Sequence, residues 1–195
     1  MRNKGERSLI ILLLLALVSC TPQEFSLDGT IGFPVYDEDS KAESLALFAT
    51  FNVPTDQQVQ MEITSPQGDV WTLMADPVQI GELWYWGSSL LEHQDLQPGT
   101  YHLKAMRRDG KVLQTDVSVR WDGEPPALPE AFVSDGQLQW KGKATLAYRF
   151  LSSSGVVISS GEGESGVVIP KEAARLELSH HDDGTNWTVR RTIPL

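Results

Sequence analysis

The chain is poor in two residue types that would place it in a functional class. It has one cysteine, Cys20, among 195 residues, so it cannot form an internal disulfide or a cysteine-built zinc site. Basic residues are also scarce. Lys and Arg number 16 against 26 Asp and Glu, which gives a net charge of −10. Because nucleic-acid binders need basic patches to neutralise phosphates, this balance argues against a nucleic-acid partner.

Long apolar runs are almost absent, and the one that stands out lies near the N-terminus. Leu9 to Val18 is unbroken, but it is shorter than the roughly 20 apolar residues that span a bilayer. Three basic residues precede it, and Ser19 and Cys20 follow. This order is typical of a secretory signal peptide, with a buried core helix as the alternative. We predict a signal peptide over residues 1–19.

The end of this run resembles a known processing motif. Leu17-Val18-Ser19-Cys20 is similar to the lipobox of bacterial lipoproteins. In that family the cysteine thiol takes a diacylglyceryl group, and the chain is cleaved just before it. The resemblance implies cleavage between Ser19 and Cys20 and a lipid anchor on Cys20, carrying fatty acids such as palmitate. Two or three acyl chains hold a protein firmly, because each buried methylene contributes about 0.8 kcal/mol.

The residues after Cys20 bear on location. Loss of residues 1–19 removes three basic residues and one acidic residue, so the mature chain is more negative still. Anionic lipid would repel such a body, and the lipid on Cys20 should therefore hold it to the membrane. In some two-membrane bacteria an aspartate after the cysteine retains lipoproteins at the inner membrane. Because Thr21 stands there instead of an aspartate, we expect the outer membrane. The folded body would face the periplasm or the outside. Residues 20–27 form a polar tether of at most roughly 26 Å.

Residues 28–120 show the pattern of half-buried strands. Apolar and polar residues alternate over 58–64, 101–105 and 113–119, which indicates sheets with one buried and one wet face. Turn residues separate them, as in Ser65-Pro66-Gln67-Gly68-Asp69 and Asp109-Gly110. About seven short strands at this spacing predict a β-sandwich.

A second resemblance refines this prediction. Leu96-Gln97-Pro98-Gly99-Thr100-Tyr101 is similar to the corner before the penultimate strand of immunoglobulin-like and fibronectin type III-like domains. There a tyrosine hydroxyl bonds back to the backbone of the preceding turn, and Tyr101 would be that residue. The Cys–Trp–Cys core of antibody domains is absent, so antibody-type descent is not implied.

Residues 121–129 contain three prolines and predict a stiff, extended linker. Strand patterns resume over residues 130–195, which predict a second, smaller β-sandwich-like domain. At roughly 65 residues this unit buries little surface and could lean on the first. The predicted fold class is all-β, with two tandem small sandwiches after a lipoprotein signal peptide.

Two clusters of polar residues raise the question of a metal. His180-His181-Asp182-Asp183 could supply zinc or calcium ligands, and Asp37-Glu38-Asp39 could form a weak calcium site. Adjacent strand residues point to opposite faces, however, and acidic runs of this kind are common in turns. We predict solvated loops, no metal and no cofactor. No catalytic motif is present, although a hydrolase with an unrecognised carboxylate site stays an alternative.

Trp84-Tyr85-Trp86 is the most distinctive aromatic cluster. Both tryptophans fall on one face of a strand, and the core is the expected place for them, with Tyr85 at the surface. If they faced outward, they could stack on a sugar, which makes a glycan-binding module the second hypothesis. The first hypothesis is a non-enzymatic cell-envelope lipoprotein with a binding or structural role towards a protein partner. This step rests on analogy between folds.

Overall fold

The computed structural model describes residues 25–80, 82–92 and 96–195. Ser19, Cys20 and Thr21 lie outside the described residues, as does the whole of the predicted signal peptide. In the part of the chain that is described, no helix is long and apolar enough to cross a membrane. The regular structure there consists of strands, and the fold is all-β.

The strands fall into two groups along the chain. The first group is β1 (Leu27–Asp37), β2 (Ala42–Phe51), β3 (Val59–Thr64), β4 (Val70–Ala75), β5 (Pro77–Ile80), β6 (Leu83–Glu92), β7 (Gly99–Met106) and β8 (Val112–Val119). The second is β9 (Ala131–Ser134), β10 (Gln137–Trp140), β11 (Leu146–Leu151), β12 (Val157–Gly163), β13 (Val167–Val168), β14 (Arg175–Asp182) and β15 (Trp187–Pro194).

The alternating sequence produces the expected alternating burial. In β3, Val59, Met61 and Ile63 are fully buried, and the residues between them are half-buried. β7 behaves in the same way, with Tyr101 and Leu103 in the core. β3, β7 and β8 lie side by side, so these buried residues form one continuous apolar face.

Three sheets build the molecule. An eight-stranded sheet has the order β12-β11-β14-β15-β1-β2-β6-β5, a four-stranded sheet has the order β4-β3-β7-β8, and a three-stranded sheet has the order β13-β10-β9. The first core joins the β2 and β6 part of the large sheet to the four-stranded sheet. The second core joins β11, β14 and β15 to the small sheet. Each core therefore lies between two sheets, as in a β-sandwich.

The two sandwiches share the large sheet instead of standing apart. β1 pairs in parallel with β15, through Val35 with Thr188, Tyr36 with Val189 and Asp37 with Arg190. On β1, Gly32 faces Val119 of the first core, and Tyr36, on the same face, packs against the second core. Both cores thus lie against one face of a continuous sheet.

The proline-rich segment between the two groups of strands is packed against the body. Trp121 makes an edge-to-face contact with Trp187 at 5.7 Å, and Trp187 Nε1 donates to the Gly123 carbonyl at 3.2 Å. Leu128 is 7% exposed and belongs to the second core. Residues 121–129 bend at Gly123, whose φ is 65°, and they help to fix one sandwich to the other.

Candidate functional site

Tyr101 makes the hydrogen bond that the sequence predicts for it. Its hydroxyl donates to the Gln97 carbonyl at 2.8 Å, and its ring is fully buried against Trp71. Burial raises the pKa of Tyr101, so the group stays protonated and able to donate at neutral pH. The contact closes the corner before β7, which is a structural role.

The Trp84-Tyr85-Trp86 cluster requires a correction. Trp86 is 1% exposed, and its Nε1 donates to the Gln57 carbonyl at 2.8 Å inside the first core. Trp84 is 37% exposed, because it lies beside the β5–β6 turn at the end of the sandwich. Tyr85, expected at the surface, is 8% exposed. The two rings therefore do not form the exposed pair that stacking on a sugar would need.

The acidic run Asp37-Glu38-Asp39 is engaged by the last strand and by the packed linker. Each of its three carboxylates accepts a hydrogen bond. Asp37 Oδ2 accepts from Arg190 Nε at 2.9 Å, and Glu38 Oε1 accepts from the Leu128 N–H at 2.8 Å. Asp39 Oδ2 accepts from the Thr192 N–H at 2.6 Å. Glu38 also lies 3.4 Å from Arg191 Nη1. This run is a clamp across the joint of the two sandwiches, whereas the sequence predicted a solvated loop here.

The charge balance at Asp37 follows from the same contacts. Partial burial alone would raise the pKa of this carboxyl. Hydrogen bonds from Ser40 and the nearby Arg190 guanidinium outweigh burial, and the pKa of Asp37 lies below its ordinary value. Asp37 is therefore ionised at neutral pH and attracts Arg190 across the joint.

The His180-His181-Asp182-Asp183 segment forms the end of β14 and a turn. His180 Nδ1 lies 3.1 Å from the Thr145 carbonyl, whereas His181 Nδ1 lies 2.9 Å from Thr188 Oγ1. Asp182 accepts from Thr185 Oγ1 at 2.7 Å, and this bond lowers the pKa of Asp182. Across residues 25–80, 82–92 and 96–195, no three His, Cys, Asp or Glu side chains come together as a metal site.

The sequence alone does not indicate one polar pair, which forms between neighbouring strands. His102 Nδ1 lies 2.6 Å from Asp116 Oδ1, because β7 and β8 place these two residues directly opposite each other. Lys104 and Glu62 form a second cross-strand pair at 3.4 Å. The side chains of His102 and Asp116 are 63% and 67% exposed. This outer face of the four-stranded sheet is therefore a row of solvated pairs.

Two exposed apolar surfaces are the stronger candidates for function. The first is the edge strand β12 with the residue before it, where Val156, Val157 and Ile158 are 64%, 47% and 36% exposed. We call it the β12 edge. The second is the β5–β6 turn, where Leu83 is 58% exposed and Trp84, on the opposite face of β6, is 37% exposed. Exposed clusters of large apolar side chains mark interaction sites in soluble domains. The sequence analysis identified only Trp84 among these residues.

Comparison with known proteins gives remote structural similarity. No family model matches the chain. No curated protein matches it either. A structure of Salmonella alpha-2-macroglobulin reacted with methylamine is 16% identical, with a TM-score of 0.30, over 84% of this chain and 14% of that one. A tetra-tandem repeat from the extending region of a large adhesion protein is 16% identical, with a TM-score of 0.26, over 86% of this chain and 50% of that one. The chain thus spans half or less of either protein.

Proposed function

We propose that this protein is a lipid-anchored lipoprotein of the cell envelope that binds a protein partner and performs no catalysis. The lipobox residues ending at Cys20 support the anchor, and Thr21 after them supports an outer-membrane location. The observation that carries the binding role is the β12 edge, which begins with exposed apolar residues and pairs on one side only among the described strands. The partner contributes an extended segment that adds a strand to the large sheet.

The β12 edge has the features of a site for strand addition. β12 is the last strand of the large sheet, and β11 is its one hydrogen-bonded neighbour among the described strands. Natural proteins usually guard such an edge with charge, proline or a strong bulge. Here Val157 and Ile158 are exposed and uncharged, and the first acidic residue of the strand is Glu162. An added strand would pair its backbone here and cover these side chains.

Local packing holds the second half of this edge in a regular register with β11. Past the register shift opposite Phe150 and Leu151, β12 follows β11 regularly from Ser159 to Gly163. The Tyr148 ring lies over Gly161, where a Cβ would come within 2.5 Å of the tyrosine hydroxyl oxygen. An aromatic ring over a glycine shields that part of the strand and holds its pairing to β11. The free backbone of β12 therefore has a defined register to offer.

The charges indicate the chemistry of the partner segment. The apolar half of β12 favours β-branched or aromatic residues in the partner. Glu162 and Glu164 follow at the other end of the strand, and a basic residue there would face them. The partner segment is therefore extended, apolar at one end and basic at the other.

Introducing a charge on the β12 edge and at a matched control position tests the binding site. Val157→Lys places a charge on the β12 edge, and Val112→Lys does the same in β8, where the exposed fraction is 50% against 47%. A photo-crosslinking residue at position 160 should join the protein to one partner in intact cells. Val157→Lys should reduce that product at least tenfold, and Val112→Lys should leave it unchanged. Equal yields in both variants would remove the β12 edge as the binding site.

The anchor is tested separately. Labelling cells with a radioactive fatty acid should mark the wild-type protein and leave Cys20→Ser unlabelled. Fractionation should then place the labelled protein in the outer membrane. An unlabelled wild-type protein that retains Met1 would refute the lipoprotein proposal, whatever the outcome at β12.

A further inference from the structure

We infer that the partner's strand completes the second core, by placing large apolar side chains between the two sheets along β12. This inference rests on the binding role of the β12 edge in the proposed function, and it names the residue pattern that the edge selects. The partner segment carries large apolar residues at every second position, on the side that faces into the sandwich. Its other side lies on the solvated outer face of the large sheet.

β12 adds no apolar side chain to the core that it borders. Three residues of the neighbouring strand β11 pack in or against the second core: Leu146, Tyr148 and Phe150. The register places Gly163, Gly161 and Ser159 directly opposite them, and residues directly opposite each other share one face of a sheet. Within the described chain, no apolar residue of β12 joins the second core. The edge strand β4, by contrast, packs Trp71 and Leu73 against the first core.

The second core is therefore open along β12. Ser159 is exposed, although it lies on the core-facing side of the strand. A Cβ at Gly163 would meet no atom of the described chain within 4 Å, so there is room beside this residue. Tyr148 of β11 and Val167 of β13 pack against the core but are only partly buried. Because protein interiors are close-packed, such an opening is a place where further side chains can be buried.

The two sheets meet at this opening, so an added strand would find packing partners in both. Residues 164–166 alone connect β12 to β13, which keeps the edge of the large sheet close to the edge of the small sheet. A strand paired with β12 would point every second side chain inward, towards β13 and Tyr148. Apolar burial is the main favourable term in protein association, and large apolar residues are therefore favoured at these inward positions.

The outer side of the partner segment has a different requirement. Glu162 is paired with Ala147 and lies on the opposite face of β12 from Gly161 and Gly163. Its side chain is exposed, so a basic residue on the outer side of the partner would face it. The partner segment therefore alternates at this end, with apolar residues inward and a basic residue outward. Consecutive apolar residues would leave half of their side chains in water.

Two synthetic peptides of identical composition test the alternation. In the first, valine and isoleucine alternate with serine and the peptide ends on lysine. In the second, the valine and isoleucine residues are consecutive. Fluorescence anisotropy measures the binding of each fluorescein-labelled peptide to the purified full-length protein. We expect the alternating peptide to bind at least tenfold more tightly, and Val157→Lys to weaken its binding at least tenfold.

A matched pair of substitutions tests which face of β12 the peptide uses. Gly163→Val occupies the room on the core-facing side, whereas Ser160→Val adds the same side chain on the outer face. Valine favours strand structure at both positions, so the two variants differ chiefly in the face that they alter. We expect Gly163→Val to weaken binding of the alternating peptide at least fivefold, and Ser160→Val to leave it unchanged.

The outcomes separate this inference from the proposed function. Equal binding of the two peptides, or equal effects of Gly163→Val and Ser160→Val, would overturn the completion of the core. Failure of both peptides to bind would overturn it as well, and a cellular crosslink that Val157→Lys removes would still keep the β12 edge as the binding site. A crosslink that Val157→Lys leaves unchanged would remove the edge and this inference together.

Discussion

Asp37→Asn is expected to weaken the joint between the two sandwiches. Asp37 is 18% exposed at its side chain, and its Oδ2 accepts from Arg190 Nε, a side chain that is 37% exposed. A charge-assisted hydrogen bond contributes about 1.5–3 kcal/mol, whereas an exposed ion pair contributes about 0.2–1 kcal/mol. The partial exposure of Arg190 places this pair between the two, near about 1 kcal/mol. The asparagine oxygen can still accept from the N–H groups of Asp39 and Ser40.

Urea unfolding of a double-mutant cycle measures this coupling. The cycle compares the wild type, Asp37→Asn, Arg190→Gln and the double variant, and it isolates the pair from other effects of each substitution. Asp109→Asn is the control, because Asp109 pairs with Arg107 within one β-turn and does not touch the joint. Its unfolding midpoint should barely move. A coupling energy of zero between positions 37 and 190 would refute the clamp.

The same pair sets a direction for pH dependence. The folded pKa of Asp37 lies below the ordinary aspartate value, so its contribution is complete above the unfolded pKa, about 3.9. As pH falls from there towards the folded pKa, the unfolded chain takes up the proton first and the contribution is lost. The stability gap between wild type and Asp37→Asn should therefore be constant near neutral pH and shrink below about pH 4. A gap that widens in acid would contradict the assignment.

Two further substitutions test the first sandwich, each by urea unfolding. Tyr101→Phe removes the hydroxyl bonded to the Gln97 carbonyl and should lower the free energy of unfolding by about 1–2 kcal/mol. An unchanged unfolding midpoint would show that the corner hydrogen bond does not stabilise the fold. Gly87→Ala would bring a Cβ within 2.1 Å of the Leu47 carbonyl oxygen and should cost about 3 kcal/mol. Gly29→Ala is its control, with the nearest atom at an ordinary 3.4 Å, and similar losses in both variants would disprove the close-contact argument.

Local patterns in the sequence were enough to predict strands such as β3, β7 and β8. The period of two in β3, β7 and β8 reflects one buried and one solvated face. Adjacent residues therefore alternate between apolar and polar, and the sequence shows this directly. The backward hydrogen bond of Tyr101 was implied by the resemblance of residues 96–101 to the corner of immunoglobulin-like domains, and its partner, Gln97, lies four residues away. The all-β class follows from the same local signals and from turns with glycine and proline.

Features that depend on strand order could not be predicted in this way. The pairing of β1 with β15 joins residues at opposite ends of the chain, and neither strand carries a mark of its distant neighbour. The β12 edge is exposed because nothing pairs with its outer side among the described strands, which is a property of the whole sheet. Trp84 and Trp86 share a strand face, but the sandwich ends between them. Burial there is set by tertiary packing, and the alternation gives no sign of it.

The position of β1 between β2 and β15 constrains the order in which the molecule can assemble. Asp37 and Arg190 are 153 residues apart, so the joint cannot close until nearly the entire polypeptide is present. Until then one side of β1 is left without its neighbour during synthesis. Non-local pairings of this kind form slowly. A chain cut short before β15 would keep that side of β1 bare, and such unfinished edges recruit other strands.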